Sequence, residues 1–132
     1  MESEALKFLF DKIVSLNISN CDVFINRPTI IGDKENMNRS YVIVAFPNGI
    51  EYLGAYARAT GMITIGSKDK AEVLGLPNAI EFKRISDILK GMFPITTDDY
   101  TVYDFEFSSD HSEGIGWHEY YYTFQIYINK SN

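Results

Sequence analysis

Two histidines and three carboxylates crowd into one short stretch of the chain: Asp110, His111, Glu113, His118 and Glu119. Histidine and carboxylate together bind zinc and other transition metals, or serve as general base and acid. The spacing suits neither use. His111 and His118 stand seven apart across a glycine-containing connection, which is no ligand spacing, and no cysteine lies near. His118 and Glu119 are consecutive, so on a strand they point to opposite faces and cannot share a substrate. Asp98-Asp99 is a second carboxylate pair, but it follows Pro94-Ile95-Thr96-Thr97 and reads as a solvated turn. Cys21 is the only cysteine; Asp22 beside it raises a thiol's pKa, the wrong direction for a nucleophile. The glycines are scattered singly, with neither a GxGxxG nor a Walker pattern to cradle a phosphate. The expectation is a non-enzymatic chain with no catalytic residue, no cofactor and no metal ligand.

Such a chain must act through its surface, and charge is the first guide to it. The net charge is −6 over 132 residues, unevenly spread. Between Gly91 and Asn129 there is no Lys or Arg, while Asp98, Asp99, Asp104, Glu106, Asp110, Glu113 and Glu119 give that stretch −7. An acidic third repels phosphates, which argues against sequence-specific nucleic-acid binding. No apolar run approaches the ~20 residues that span a bilayer. The opening Met1-Glu2-Ser3-Glu4 is acidic, unlike a secretory signal. A single cysteine rules out an internal disulfide. These features point to one domain over 1–132, located in the cytoplasm or in an assembly made there.

Periodicity supplies the elements. Leu6, Leu9, Phe10, Ile13 and Val14 form one apolar stripe on a helix over 2–16, with Ser3 placed to cap it. Residues 22–27 read as a short strand and 32–39 as a polar loop. Tyr41 to Phe46 is a β-branched apolar run fit for a central strand. Pro47-Asn48-Gly49 predicts a hairpin turn into a second strand over 50–58, and Thr60-Gly61 a break before a third over 62–66. Small residues at Gly54, Ala55, Ala57 and Ala59 suggest a bulge or close backbone approach. A second helix is expected over 78–92. Asn78 and Glu81 form its capping box, and Ile80, Ile85, Ile88, Leu89 and Met92 its buried stripe. Two strands, 100–108 and 117–129, close the chain. The fold class is therefore α+β: a mainly antiparallel sheet of about five to six strands, with two amphipathic helices packed on one face.

The last strand has two apolar faces. Tyr120, Tyr122, Phe124, Ile126 and Ile128 alternate toward a core. Trp117, Glu119, Tyr121, Thr123, Gln125 and Tyr127 fall on the other side. Amphipathic aromatics on a second face are common where a protein partner docks. Trp117, Glu119, Tyr121, Gln125 and Tyr127 are thus the candidate interface.

The order of helix 2–16, the run Arg39 to Phe46, the segment Ala59 to Gly66 leading into helix 78–92, and the strand Tyr120 to Ile128 resembles the phage tail terminator and head–tail completion proteins. The resemblance implies a ring subunit, a hexamer in that family, that caps a tail tube through protein partners and resides in the virion. Two other readings stand beside it. One is a small-molecule-binding or enzymatic domain with an aromatic pocket formed by Tyr41, Tyr52, Tyr56, Trp117 and Tyr121. The other is an acidic adaptor or inhibitor that binds a basic protein.

Overall fold

A computed structural model describes residues 2–26, 38–70, 75–112 and 116–129. The elements run α1 (Glu2–Ser15), β1 (Cys21–Ile25), β2 (Ser40–Ala45), β3 (Glu51–Tyr52), β4 (Tyr56–Lys68), α2 (Ala79–Lys90), β5 (Ile95–Thr96), β6 (Tyr100–Ser112) and β7 (Trp117–Asn129). The strands form one mixed, curled sheet in the order β1-β2-β4-β7-β6-β5, with β3 also on β4. Ala5, Leu6, Leu9 and Ile13 of α1 and Phe82, Ile85 and Leu89 of α2 pack with Val42, Val44, Ile63, Ile65, Phe124 and Ile126 in the main core. The α+β class and the one-sided apolar stripe of β7 follow the periodicity of the sequence.

The structure refines or corrects several expectations. First, the sheet is mainly antiparallel, as expected, but mixed: β1 and β2 run parallel, with Cys21 opposite Ser40 and Ile25 opposite Val44. A parallel pair needs a crossover of about a dozen residues or more, and the chain from Asn26 to Arg39 supplies that length. Second, Thr60-Gly61 is no break. β4 runs unbroken for 13 residues and pairs along its whole length with β7. Gly61 is glycine because the ring of Phe124 on β7 lies over it; a Cβ there would sit inside that ring. Gly66 is covered by the Tyr41 ring in the same way.

Third, Pro47-Asn48-Gly49 does not turn a hairpin. β2 and β3 both pair with one side of β4, Ala45 opposite Met62 and Glu51 opposite Arg58. The chain only steps away from β4 between them, with Gly49 at φ 72° and its N–H bonded to the Phe46 carbonyl. The hairpin turn comes later, at Gly54, whose φ is 86° and whose neighbour Leu53 donates to the Tyr56 carbonyl. Fourth, Ile80 is 76% exposed. The buried stripe of α2 is Phe82, Ile85, Ser86 and Leu89, spaced i, i+3, i+4, i+7. Ile80, two positions before Phe82, falls on the opposite side of the helix.

The ends of the helices follow local chemistry. The Asn78 side chain caps α2 by accepting the Glu81 N–H at 3.3 Å. The Glu81 carboxylate accepts from Arg84 Nε (2.5 Å) and from the Ser40 hydroxyl (3.2 Å), which ties α2 to the start of β2. α1 already includes Glu2, so Ser3 lies inside the helix rather than capping it. Asp98-Asp99 forms the tip of a tight β5–β6 turn, closed by Thr97 N–H to the Tyr100 carbonyl at 2.8 Å.

Cys21 is buried where β1 begins. Burial pushes its thiol up to about 12, with Arg84 opposing the shift and Asp22 adding to it. We expect the folded protein to resist a thiol reagent such as DTNB at pH 8 and to react fully once unfolded in denaturant. The sign of the linkage follows. Above the usual thiol pKa of 9.0 the unfolded chain releases a proton that the folded chain keeps. Cys21 therefore lowers stability as pH rises from about 9 toward 12, and Cys21→Ala should flatten that part of a stability–pH curve. A fast-reacting native thiol would contradict both expectations.

Candidate functional site

Both helices cover the same side of the sheet. The opposite side divides into a closed end and an open end. The antiparallel register brings Tyr41 of β2, Gly66 of β4 and Glu119 of β7 into one row. There Tyr41 and Trp117 stack at 5.6 Å between centroids and form a small second core with Ile43, flanked by Phe24. Glu119 is fully buried beside them. Its carboxylate accepts the Tyr41 hydroxyl on one oxygen and the Tyr121 hydroxyl, at 2.9 Å, on the other. A buried carboxylate must be hydrogen-bonded in this way to avoid a large desolvation cost.

Two of the five candidate interface residues are thus turned inward: Trp117 is 1% and Glu119 0% exposed. They do not reach a partner from the folded chain, because the flat rings and the carboxylate satisfy one another locally. Tyr121 is half-buried with its hydroxyl committed to Glu119. Gln125 and Tyr127 lie at the open end. Tyr127 is 40% exposed, stands opposite Arg58 and stacks on Tyr56 at 4.9 Å. Gln125 stands between Thr60 and Tyr103 in the register.

The suggested aromatic pocket is not assembled. Tyr41 and Trp117 are core, Tyr52 points into solvent, and Tyr56 is taken up by Tyr127. A cleft of about 500 Å³ does open on the surface, lined by residues of the 46–50 excursion together with Arg58, Thr60, Tyr103 and Gln125. None of those five tyrosine and tryptophan residues lines it.

His118 and Glu119 do point to opposite sides. His118 faces the helix side, opposite Ser67 on β4, and its Nδ1–H donates to Asp69 Oδ1 at 2.5 Å. Asp69 was not legible as a partner, because it lies on the far side of α2 in the chain. Its second oxygen accepts the Gly75 N–H at 3.0 Å, and its own N–H donates to the Gly116 carbonyl at 2.8 Å. Asp69 therefore clamps the ends of β4 and β7 together. Among the described residues no three His, Cys, Asp or Glu side chains gather to hold a metal. Asp69→Ala leaves the buried imidazole and the Gly75 N–H without their acceptor. A loss of about 1–3 kcal/mol is expected, read by chemical denaturation, with faster amide exchange at Gly75. Unchanged exchange there would argue against the clamp.

The base-free hairpin is the other exposed feature. β6 and β7 pair from Tyr100–Ile128 to Ser112–His118, with one register shift between Tyr103 and Glu106, where Asp104 has φ 57°, and a second between Phe107 and Ser109. Bulges of this kind twist a strand and blunt an edge against indiscriminate pairing. From Glu106 onward every described residue of β6 is exposed. Tyr103 and Phe107 are 42% and 54% exposed, on opposite faces of the hairpin.

No family model and no curated protein matches this chain. Among the described residues no helix is long and apolar enough to cross a membrane.

Proposed function

We propose that this chain is a non-enzymatic assembly subunit, of the phage tail-terminator kind, that forms a homo-oligomeric ring and works through protein–protein contacts. The observation that carries the reading is the β6–β7 hairpin, which holds Tyr103, Phe107 and Tyr127 in solvent on its two faces within a stretch lacking any base. Exposed aromatics on rigid strands offer large contact area at little entropic cost, and the excess of acid along the hairpin favours a defined partner orientation. The side of the sheet that carries Tyr127 is not covered by either helix. The order of helices and long strands on which the family resemblance rests also supports the reading. Acidic repulsion within the ring means that the contact pairs the hairpin of one copy with a different surface of the next, a head-to-tail arrangement that closes by rotation.

Phe107→Ser combined with Tyr127→Ser tests this directly. Both side chains are largely exposed, so the variant should keep the native circular dichroism spectrum, with a modest drop in melting temperature from the lost Phe107 contacts to Tyr120 and Tyr122 and the lost Tyr127 stack on Tyr56. Sedimentation velocity should show self-association of the parent chain and its loss in the variant. Equal association in both would remove the hairpin from the interface.

A further inference from the structure

Between Ala45 and Glu51 the chain leaves the edge of β4. Ala45 is paired with Met62 and Glu51 with Arg58, so residues 46–50 stand beside the shorter stretch 59–61. The mismatch opens the cleft of about 500 Å³, within the size range of small-molecule sites. Its polar lining is Asn48, Glu51, Arg58, Thr60, Tyr103 and Gln125.

The charges in this cleft cancel. Arg58 Nε meets Glu51 Oε2 at 3.2 Å, so neither a free anion nor a free cation finds an unmatched opposite charge. The remaining polar groups, Asn48, Thr60, Tyr103 and Gln125, are neutral. Thr60 Oγ1 donates to Gln125 Oε1 at 3.1 Å, which fixes that amide and presents its NH₂, a double donor. Asn48 adds a donor and an acceptor on one exposed side chain. Tyr103 supplies a partly exposed ring as a flat apolar wall. A ligand matched to this set is uncharged, has several hydroxyls that both donate and accept, and has a C–H face to lay on an aromatic ring. We propose that the cleft is a saccharide subsite that takes one neutral hexopyranose unit of an oligosaccharide.

The proposal does not depend on the assembly reading. It is tested by ¹H–¹⁵N correlation spectra of the full chain titrated with maltotriose, cellotriose and triacetylchitotriose. At least one of the three should move the backbone amides of Gly49, Thr60, Tyr103 and Gln125 in a saturable way, with millimolar affinity. Tyr103→Ala and Gln125→Ala should each keep the native fold by circular dichroism, Gln125→Ala with a small loss of melting temperature from its Thr60 hydrogen bond, and each should weaken binding about tenfold, corresponding to roughly 1.4 kcal/mol. Thr60→Val, which frees the Gln125 amide to rotate, should weaken it as well. Absence of shifts at these amides with all three sugars overturns the proposal. So do shifts that survive Tyr103→Ala and Gln125→Ala. If the same amides move only with protein concentration, the cleft belongs to a contact between copies and the saccharide proposal falls while the assembly reading stands.

Discussion

Glu119→Ala is expected to destabilise the fold by about 3 kcal/mol, one of the two largest losses anticipated here. The carboxylate is fully buried and accepts hydroxyl protons from Tyr41 and Tyr121, on two different strands. Truncation leaves those donors without their acceptor and opens a hole beside the Trp117–Tyr41 stack. An unsatisfied buried donor costs about 1–3 kcal/mol, which applies to Tyr41, and the half-buried Tyr121 hydroxyl adds less. Glu119→Gln should cost less, because its amide oxygen still accepts one hydroxyl. Denaturant unfolding followed by Trp117 fluorescence reads both, since the only tryptophan lies in the affected cluster. A loss below about 1 kcal/mol for Glu119→Ala would mean that this buried network contributes little to the fold.

The second large effect is a coupling. Phe124→Ala removes a fully buried ring that sits over Gly61 and against Phe46 and Phe93, and should cost about 3–5 kcal/mol. Gly61→Ala alone should cost about 1–3 kcal/mol, since the new methyl must displace that ring. Without the ring, the same Gly→Ala change carries no clash and lowers the entropy of the unfolded chain. The double variant should therefore be more stable than the sum of the single losses requires, by at least about 1 kcal/mol. Strict additivity would show that Gly61 is glycine for some other reason.

That coupling also explains part of what the sequence hid. A glycine after a threonine reads as punctuation, and only the partner strand shows that Gly61 makes room for Phe124. The Asn48-Gly49 pair misled for the opposite reason. Its local chemistry does favour positive φ, and Gly49 has it, but the chain returns to the same side of β4 instead of reversing. Local propensity fixes a backbone angle and leaves open which strand comes next. The helices and the 13-residue β7 were legible because their stripes follow a single period, although Val14, expected in the α1 stripe, is 46% exposed at its margin. The parallel β1–β2 pair was not, because parallel and antiparallel neighbours show the same apolar run.

The shared face of the five candidate residues was legible, and how far it is covered was not. Alternation placed Trp117, Glu119, Tyr121, Gln125 and Tyr127 on one face, and the register bears that out. Alternation cannot say how far along a strand a face stays covered. Tyr41, brought over Gly66 by pairing with β4, closes one end of the face and draws Trp117 and Glu119 inside. The open end keeps Gln125 and Tyr127, and Tyr103 and Phe107 of β6 join them in the exposed set. Both were hidden in a segment read mainly for its acids.

The proposed ring requires these exposed hairpin aromatics to join copies of this chain. Mass measurement of the purified protein across a wide concentration range, paired with negative-stain electron microscopy, tests it most directly. One discrete oligomeric mass is expected to grow in at the expense of the single chain, with closed rings of uniform size on the grid. A single-chain mass at every concentration, with no ring in the images, would contradict it.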